Sequence, residues 1–213
     1  MSRDNADSSA ARLAGAKRLF FGISVGVIAE PLRVRTQMVR NWLELNLSDV
    51  EVAWIAPARY HITLKYLGWT RPEAIAAIRS AATVVLAKQS TYRLKLGQLG
   101  GFDSLASAQV LFAEVEVSTV LTNMVKALDE ACAEIGFPAE LRPFHPHVTL
   151  ARFRKVANLR DLDIGSSQET EQKNSVWDSS SLQLPVNSIH LYESPLISDV
   201  FEYPKLASWK LHE

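Results

Sequence analysis

The chain has one cysteine, five histidines and no excess of charge of either sign. Cys132 alone cannot close an intrachain disulfide, so a reducing, cytoplasmic setting is expected, with the thiol packed on a helix. Lys plus Arg and Asp plus Glu are 23 each. That balance argues against a protein that coats long nucleic acid, which normally carries a basic excess. Residues 19–29 form an apolar run behind Lys17-Arg18. It is too short to cross a membrane, so no membrane association is expected. It can be read as a leader core or as a first β-strand over 19–25. The strand reading is taken, because residues 1–16 carry Asp4 and Asp7 and are rich in Ala and Ser, a poor leader but a plausible disordered tail. There is no His-x-x-x-His helix pattern, no cysteine pair and no carboxylate at ligand spacing beside the histidines, so neither a metal nor another cofactor is expected.

Hydrophobic residues make up 47% of the 213, enough for a sizeable core. Periodicity predicts helices over 30–45, with Met38, Val39, Trp42 and Leu45 as the apolar face, and over 118–136. Ser118 is placed to cap the second of these and Gly136 to end it. A third helix is expected to follow Thr70-Arg71-Pro72-Glu73, which reads as a capping box, and to run to about Lys88. Strands are predicted over 52–55, 59–67, 92–99, 109–117, 147–153 and 188–193, the last closing the sheet. Residues 158–181, rich in Ser, Asp, Gln and Glu, read as a surface excursion. The expected organisation is a tail over 1–16 and a single domain over 17–213.

Two tetrapeptides carry the chemistry. His61-Ile62-Thr63-Leu64 and His147-Val148-Thr149-Leu150 are the same pattern written twice, 86 residues apart. In an extended strand side chains alternate faces, so each copy offers an imidazole beside a hydroxyl over an apolar back. A lone His-x-Thr on a half-buried strand is usually a hydrogen-bonded structural pair, but a repeat of it is harder to dismiss. Two such strands side by side would set two imidazoles around one small anion. One can remove a proton while the other supplies one, which suits cleavage of a phosphodiester without a metal.

The segments Tyr60-His61-Ile62-Thr63-Leu64-Lys65-Tyr66-Leu67-Gly68 and Arg142-Pro143-Phe144-His145-Pro146-His147-Val148-Thr149-Leu150-Ala151-Arg152 resemble the two signatures of the two-histidine (2H) phosphoesterases. Within that superfamily they are most similar to the bacterial RNA 2′,3′-cyclic phosphodiesterases, also called the 2′-5′ RNA ligase family. Arg18-Leu19-Phe20-Phe21 and Leu191-Tyr192-Glu193-Ser194 resemble that family's opening and closing strands. Tyr60 and His145 depart from the residues common there. The resemblance implies an α+β fold: two pseudo-symmetric lobes with antiparallel sheets facing a central cleft and helices outside. It also implies a monomer whose substrates are RNA ends or small nucleotides carrying 2′,3′-cyclic phosphate, in keeping with the neutral charge.

Carried over position by position, His61 is the expected proton donor and His147 the proton acceptor. Thr63, Thr149 and Arg152 are the expected substrate-binding residues. Arg152 lies five residues past His147, so strict alternation would aim it away from the histidines; a bulge or the strand's end must turn it back. His145 is expected near the mouth, His190 as structural and His212 in the tail. Three other readings remain open: a 2′-5′ oligonucleotide phosphodiesterase or ligase, a non-catalytic module that binds RNA ends, and a scaffold in which the repeat is accidental.

Overall fold

Each copy of the motif opens a long strand. The computed structural model describes residues 15–162, 177, 182–195 and 202–213, and the tail expected over 1–16 lies almost wholly outside them. The elements in chain order are β1 (Lys17–Ser24), α1 (Ala29–Asn46), β2 (Val52–Trp54), β3 (His61–Thr70), α2 (Ala74–Leu86), β4 (Tyr92–Phe102), β5 (Ala108–Val115) and α3 (Thr119–Glu134). They continue as β6 (His147–Ala157), β7 (Leu182–Val186), β8 (Ser188–Glu193) and β9 (Lys205–Lys210).

Among the described residues the nine strands form one sheet in the order β7-β4-β5-β6-β3-β1-β8-β9, with β2 paired to β6. Every strand pair is antiparallel. Two halves are recognisable, each with its motif strand at the inner edge: β6 with β5, β4 and β7, and β3 with β1, β8 and β9. A single register pair, Ile62 with Val148, joins them. That pair lies one residue from both His61 and His147. The α+β arrangement with duplicated antiparallel halves is therefore the one expected.

The helices bury their apolar faces in the same cluster as the strands. α3 begins as expected: the Ser118 hydroxyl accepts from the Leu121 amide at 3.2 Å, and Gly136 takes a positive φ of 92° beyond its end. The capping box does not form. Thr70 ends β3, its hydroxyl donates to the Gly68 carbonyl, and α2 starts only at Ala74 without a side-chain cap. The inner face of α1 includes the expected Val39 and the partly buried Trp42, but is otherwise Leu32, Arg35, Thr36 and Leu43, while Met38 is 45% and Leu45 84% exposed. Thr36 satisfies its hydroxyl on the Leu32 carbonyl of its own helix, so a polar residue can sit on the buried side.

The sheet does not close at β8. β9 pairs outside it and β7 extends the other edge, neither of them expected. The stretch read as a surface excursion contributes core residues at its described positions. Leu159 and Leu162 are buried, and Trp177 is 1% exposed with its indole donating to the Gly97 carbonyl. No helix among the described residues is long and apolar enough to cross a membrane.

Candidate active site

The two motif strands follow one local plan. From His61 to Leu67 and from His147 to Phe153 burial runs half-buried, buried, half-buried, buried, buried, exposed, buried in both. The two consecutive buried residues mark a β-bulge. On β6, Ala151 faces Leu111 and Thr149 faces Phe112, so Leu150 is the extra residue. On β3, Lys65 faces Phe21 and Thr63 faces Gly22, so Leu64 is the extra residue. A bulge shifts the alternation by one. Arg152 is thereby returned to the face of His147 and Thr149, which unbroken alternation would not allow. On β3 the matching position holds Tyr66, 51% exposed, whose hydroxyl accepts from Arg18 Nε at 3.0 Å.

Both imidazoles are oriented the same way. His61 Nδ1 donates to the Arg59 carbonyl at 2.7 Å, and His147 Nδ1 donates to the His145 carbonyl at 2.8 Å. A carbonyl can only accept, so Nδ1 carries the proton and Nε2 of each neutral ring is left as a bare lone pair. Aromatic rings hold each imidazole in place. Phe20 lies 4.8 Å and the Tyr203 edge 5.1 Å from His61, while Phe102 lies 5.0 Å and Phe112 5.2 Å from His147.

These surroundings keep both rings neutral. Burial lowers His61 to about 4 from its ordinary 6.5, against the opposing hydrogen bond to Arg59; the charges of His147 and Arg152 lower it further. Burial also lowers His147, against the opposing hydrogen bond to the His145 carbonyl; the charges of His145 and Arg152 lower it further. Arg152 thus acts electrostatically on both histidines. His190 lies elsewhere on the sheet between the Ser188 and Ser208 hydroxyls, likewise lowered to about 4 by burial first and by Lys205. His212 contacts the Ala87 carbonyl through Nε2.

Unfolded histidines titrate near 6.5, whereas folded His61 and His190 titrate near 4. The unfolded chain therefore binds more protons across that interval. The contribution is fully present above pH 6.5 and is lost as pH falls toward 4. Thermal midpoints measured from pH 7.5 to pH 4 should drop most steeply between these limits; a flat profile there would contradict the buried neutral rings.

Two hollows flank the histidines. A cavity of about 30 Å³ beside His61 is lined by Ser24, Tyr192, Glu202, Tyr203 and Lys205, room for about one water. A groove of about 490 Å³ opens beside His147 and Thr63, walled by Tyr66, Phe102, Phe144 and Arg142. It forms where β3 and the segment before β6 diverge beyond the Ile62–Val148 pair. Among the described residues, no group of three or more His, Cys, Asp or Glu side chains is placed to hold a metal ion. The structure thus brings His61, Thr63, His147, Thr149 and Arg152 to one face, with Ile62, Leu64, Val148 and Leu150 buried behind.

A sequence profile of the 2′-5′ RNA ligase superfamily matches residues 44–194, more than half of the chain. The chain belongs to the 2′-5′ RNA ligase superfamily. Among its relatives in that superfamily, an RNA 2′,3′-cyclic phosphodiesterase of Geobacillus stearothermophilus is 34% identical over 99 residues, 46% of this chain and 32% of the relative. One of Bacillus subtilis is 30% identical over 99 residues, again 46% of this chain and 54% of the relative. The matched region spans between a third and about half of the length of these curated relatives. The fold is shared with Escherichia coli LigT, solved with 3′-AMP bound: TM-score 0.66 at 23% identity, covering 93% of this chain and 99% of that one.

The rings that pack on the histidines were not legible as site residues. Phe20, Tyr192 and Tyr203 come from β1, β8 and the approach to β9, and only the register brings them to His61. Tyr66 and Phe144, aromatic residues flanking the two motifs in sequence, were the usable signals of the groove.

Proposed function

We propose that this protein hydrolyses 2′,3′-cyclic phosphate ends of RNA or nucleotides to 2′-phosphates, without a metal. The observation that carries the reading is a pair of identically oriented imidazoles, each with a bare Nε2, on strands joined by one register pair. The names of the Geobacillus and Bacillus relatives agree with it.

In this mechanism His147 Nε2 takes a proton from water as its oxygen attacks phosphorus. The bond from phosphorus to the 3′-oxygen breaks, and His61 gives that oxygen a proton. Thr63 and Thr149 donate hydroxyls to the non-bridging oxygens, and Arg152 pairs with their charge through its planar fork. After turnover His147 holds the proton that His61 has lost, and exchange with solvent resets both. The groove beside His147 has the volume to receive the terminal nucleoside.

Both imidazoles of the free site are neutral near pH 7, so the acid must be loaded by the substrate. A bound phosphodiester anion favours the imidazolium and raises His61 from about 4. Binding of a non-hydrolysable phosphodiester, which does not itself titrate near pH 6.5, should therefore be accompanied by proton uptake. Calorimetry in buffers of different ionisation enthalpy measures this; no net uptake would contradict loading of the donor by the bound anion.

The reading is tested by a substrate panel of 2′,3′-cyclic mononucleotides, RNA ending in a cyclic phosphate, and 2′-5′ linked dimers, each assayed with and without EDTA. Hydrolysis of the cyclic substrates should be unchanged by chelator. Activity lost in EDTA and restored by a divalent ion would overturn the metal-free mechanism. Turnover of the dimers alone would select the 2′-5′ phosphodiesterase or ligase reading. Binding without turnover would select the non-catalytic one.

A further inference from the structure

Where β6 carries Ala151 directly after its bulge, β3 carries Lys65. Both positions face the core, yet the Lys65 side chain is only 3% exposed. A buried ammonium is strongly disfavoured unless paired, so this lysine is no neutral replacement for an alanine. Its Nζ donates to Asp129 on α3 and to the Pro138 carbonyl at 2.9 Å. Both carboxylate oxygens of Asp129 in turn accept from the Glu140 amide at 3.3 Å. Lys65 and Asp129 thus clasp the start of segment 138–146 to the strand that carries His61.

That segment needs an anchor. Past the Ile62–Val148 pair no backbone register links β3 to the residues leading into β6. The segment's far end is tied to β5 by the Val115 amide on the Pro146 carbonyl at 3.1 Å. Between the two anchors lies His145, whose carbonyl receives the His147 Nδ1 proton and so fixes which nitrogen of His147 is free. We propose that Lys65 and Asp129 are positioning residues for His147, acting through segment 138–146. The clasp holds the His145 carbonyl where it keeps the proton on Nδ1 and leaves Nε2 bare toward the site. One motif copy thereby sets the imidazole of the other.

The test uses the full chain with Lys65→Met, the double change Lys65→Met/Asp129→Leu, and Asp129→Asn. Removing both charges together avoids an unpaired buried one. Asp129→Asn keeps the side-chain shape but leaves the Lys65 ammonium unpaired, so the double change is the decisive variant. Ring ¹⁵N shifts of His147 and His61 should reveal an Nε2-protonated form appearing at His147 alone. On a 2′,3′-cyclic mononucleotide, kcat should fall about 10- to 100-fold with KM changed less than threefold, as expected when a catalytic group is displaced rather than lost. Folded variants in which the His147 tautomer and kcat both stay at wild type would overturn the proposal. So would a kcat loss with His147 unchanged, because the effect would then run by another route. The kinetic arm rests on the cyclic phosphodiesterase reading and the spectroscopic arm does not, so a wild type inactive on this substrate leaves the ring shifts to decide.

Discussion

His61→Ala and His147→Ala should each lower the rate of cyclic phosphate hydrolysis by about 10²–10⁴, the usual worth of a positioned proton donor or acceptor. Among the described residues, His61 has no other imidazole in its ring contacts, whereas His147 has His145 at 6.0 Å. Around His61 lie Phe20, Tyr192 and Tyr203, and around His147 lie Phe102, Phe112 and His145. Burial raises the Tyr192 phenol to about 12, so it is a poor acid near neutral pH. The double variant should lose less than the product of the single losses, because both groups act on one transition state. Activity against pH should be bell-shaped in the wild type and lose one limb in each variant. The checks are steady-state kinetics on a cyclic mononucleotide and thermal midpoints showing that the variants stay folded. Near-full activity in either single variant contradicts the assignment.

The second large effect separates the roles. If His61 protonates the departing 3′-oxygen, its loss should matter little when the leaving atom needs no proton. A substrate with sulfur in place of that oxygen departs as a thiolate, which is stable near neutral pH. His61→Ala should then recover most of its lost rate, while His147→Ala should recover almost none, since water still has to be activated. The measured quantity is the ratio of rates on sulfur and oxygen substrates for each variant. The hollows give the reverse outcome a definite meaning. A water-sized cavity adjoins His61 and a nucleoside-sized groove adjoins His147, so rescue of His147→Ala instead would place the attacking water at His61. Equal ratios would mean shared roles.

The histidine–threonine pairs were legible because a strand's side-chain period is two, and a repeated tetrapeptide is hard to mistake for background. A bulge was one of two devices expected to return Arg152, but its position on β6 and its counterpart on β3 were not legible. At Leu150-Ala151 two apolar neighbours hint at one, but at Leu64-Lys65 the second residue reads as polar and exposed although its ammonium is buried on Asp129. Without the bulge, Arg152 could be brought to the histidine face only by the family resemblance. The inner face of α1 was misread for a related reason. Arg35 and Thr36 read as polar yet sit on the buried side, and Thr36 does so at little cost by bonding within its own helix. Trp177 was hidden in a polar stretch because its partner, the Gly97 carbonyl, is 80 residues away, and periodicity reports only neighbours on one element.

One measurement bears most directly on the two-histidine mechanism. RNA ending in a 2′,3′-cyclic phosphate is incubated with the protein in ¹⁸O-labelled water and EDTA, and the product is followed by ³¹P spectroscopy and mass. Attack of activated water with departure of the 3′-oxygen predicts a 2′-phosphate alone, carrying one ¹⁸O, formed at the rate seen without chelator. A 3′-phosphate, an unlabelled product, or a substrate left intact until a divalent ion is restored would contradict it.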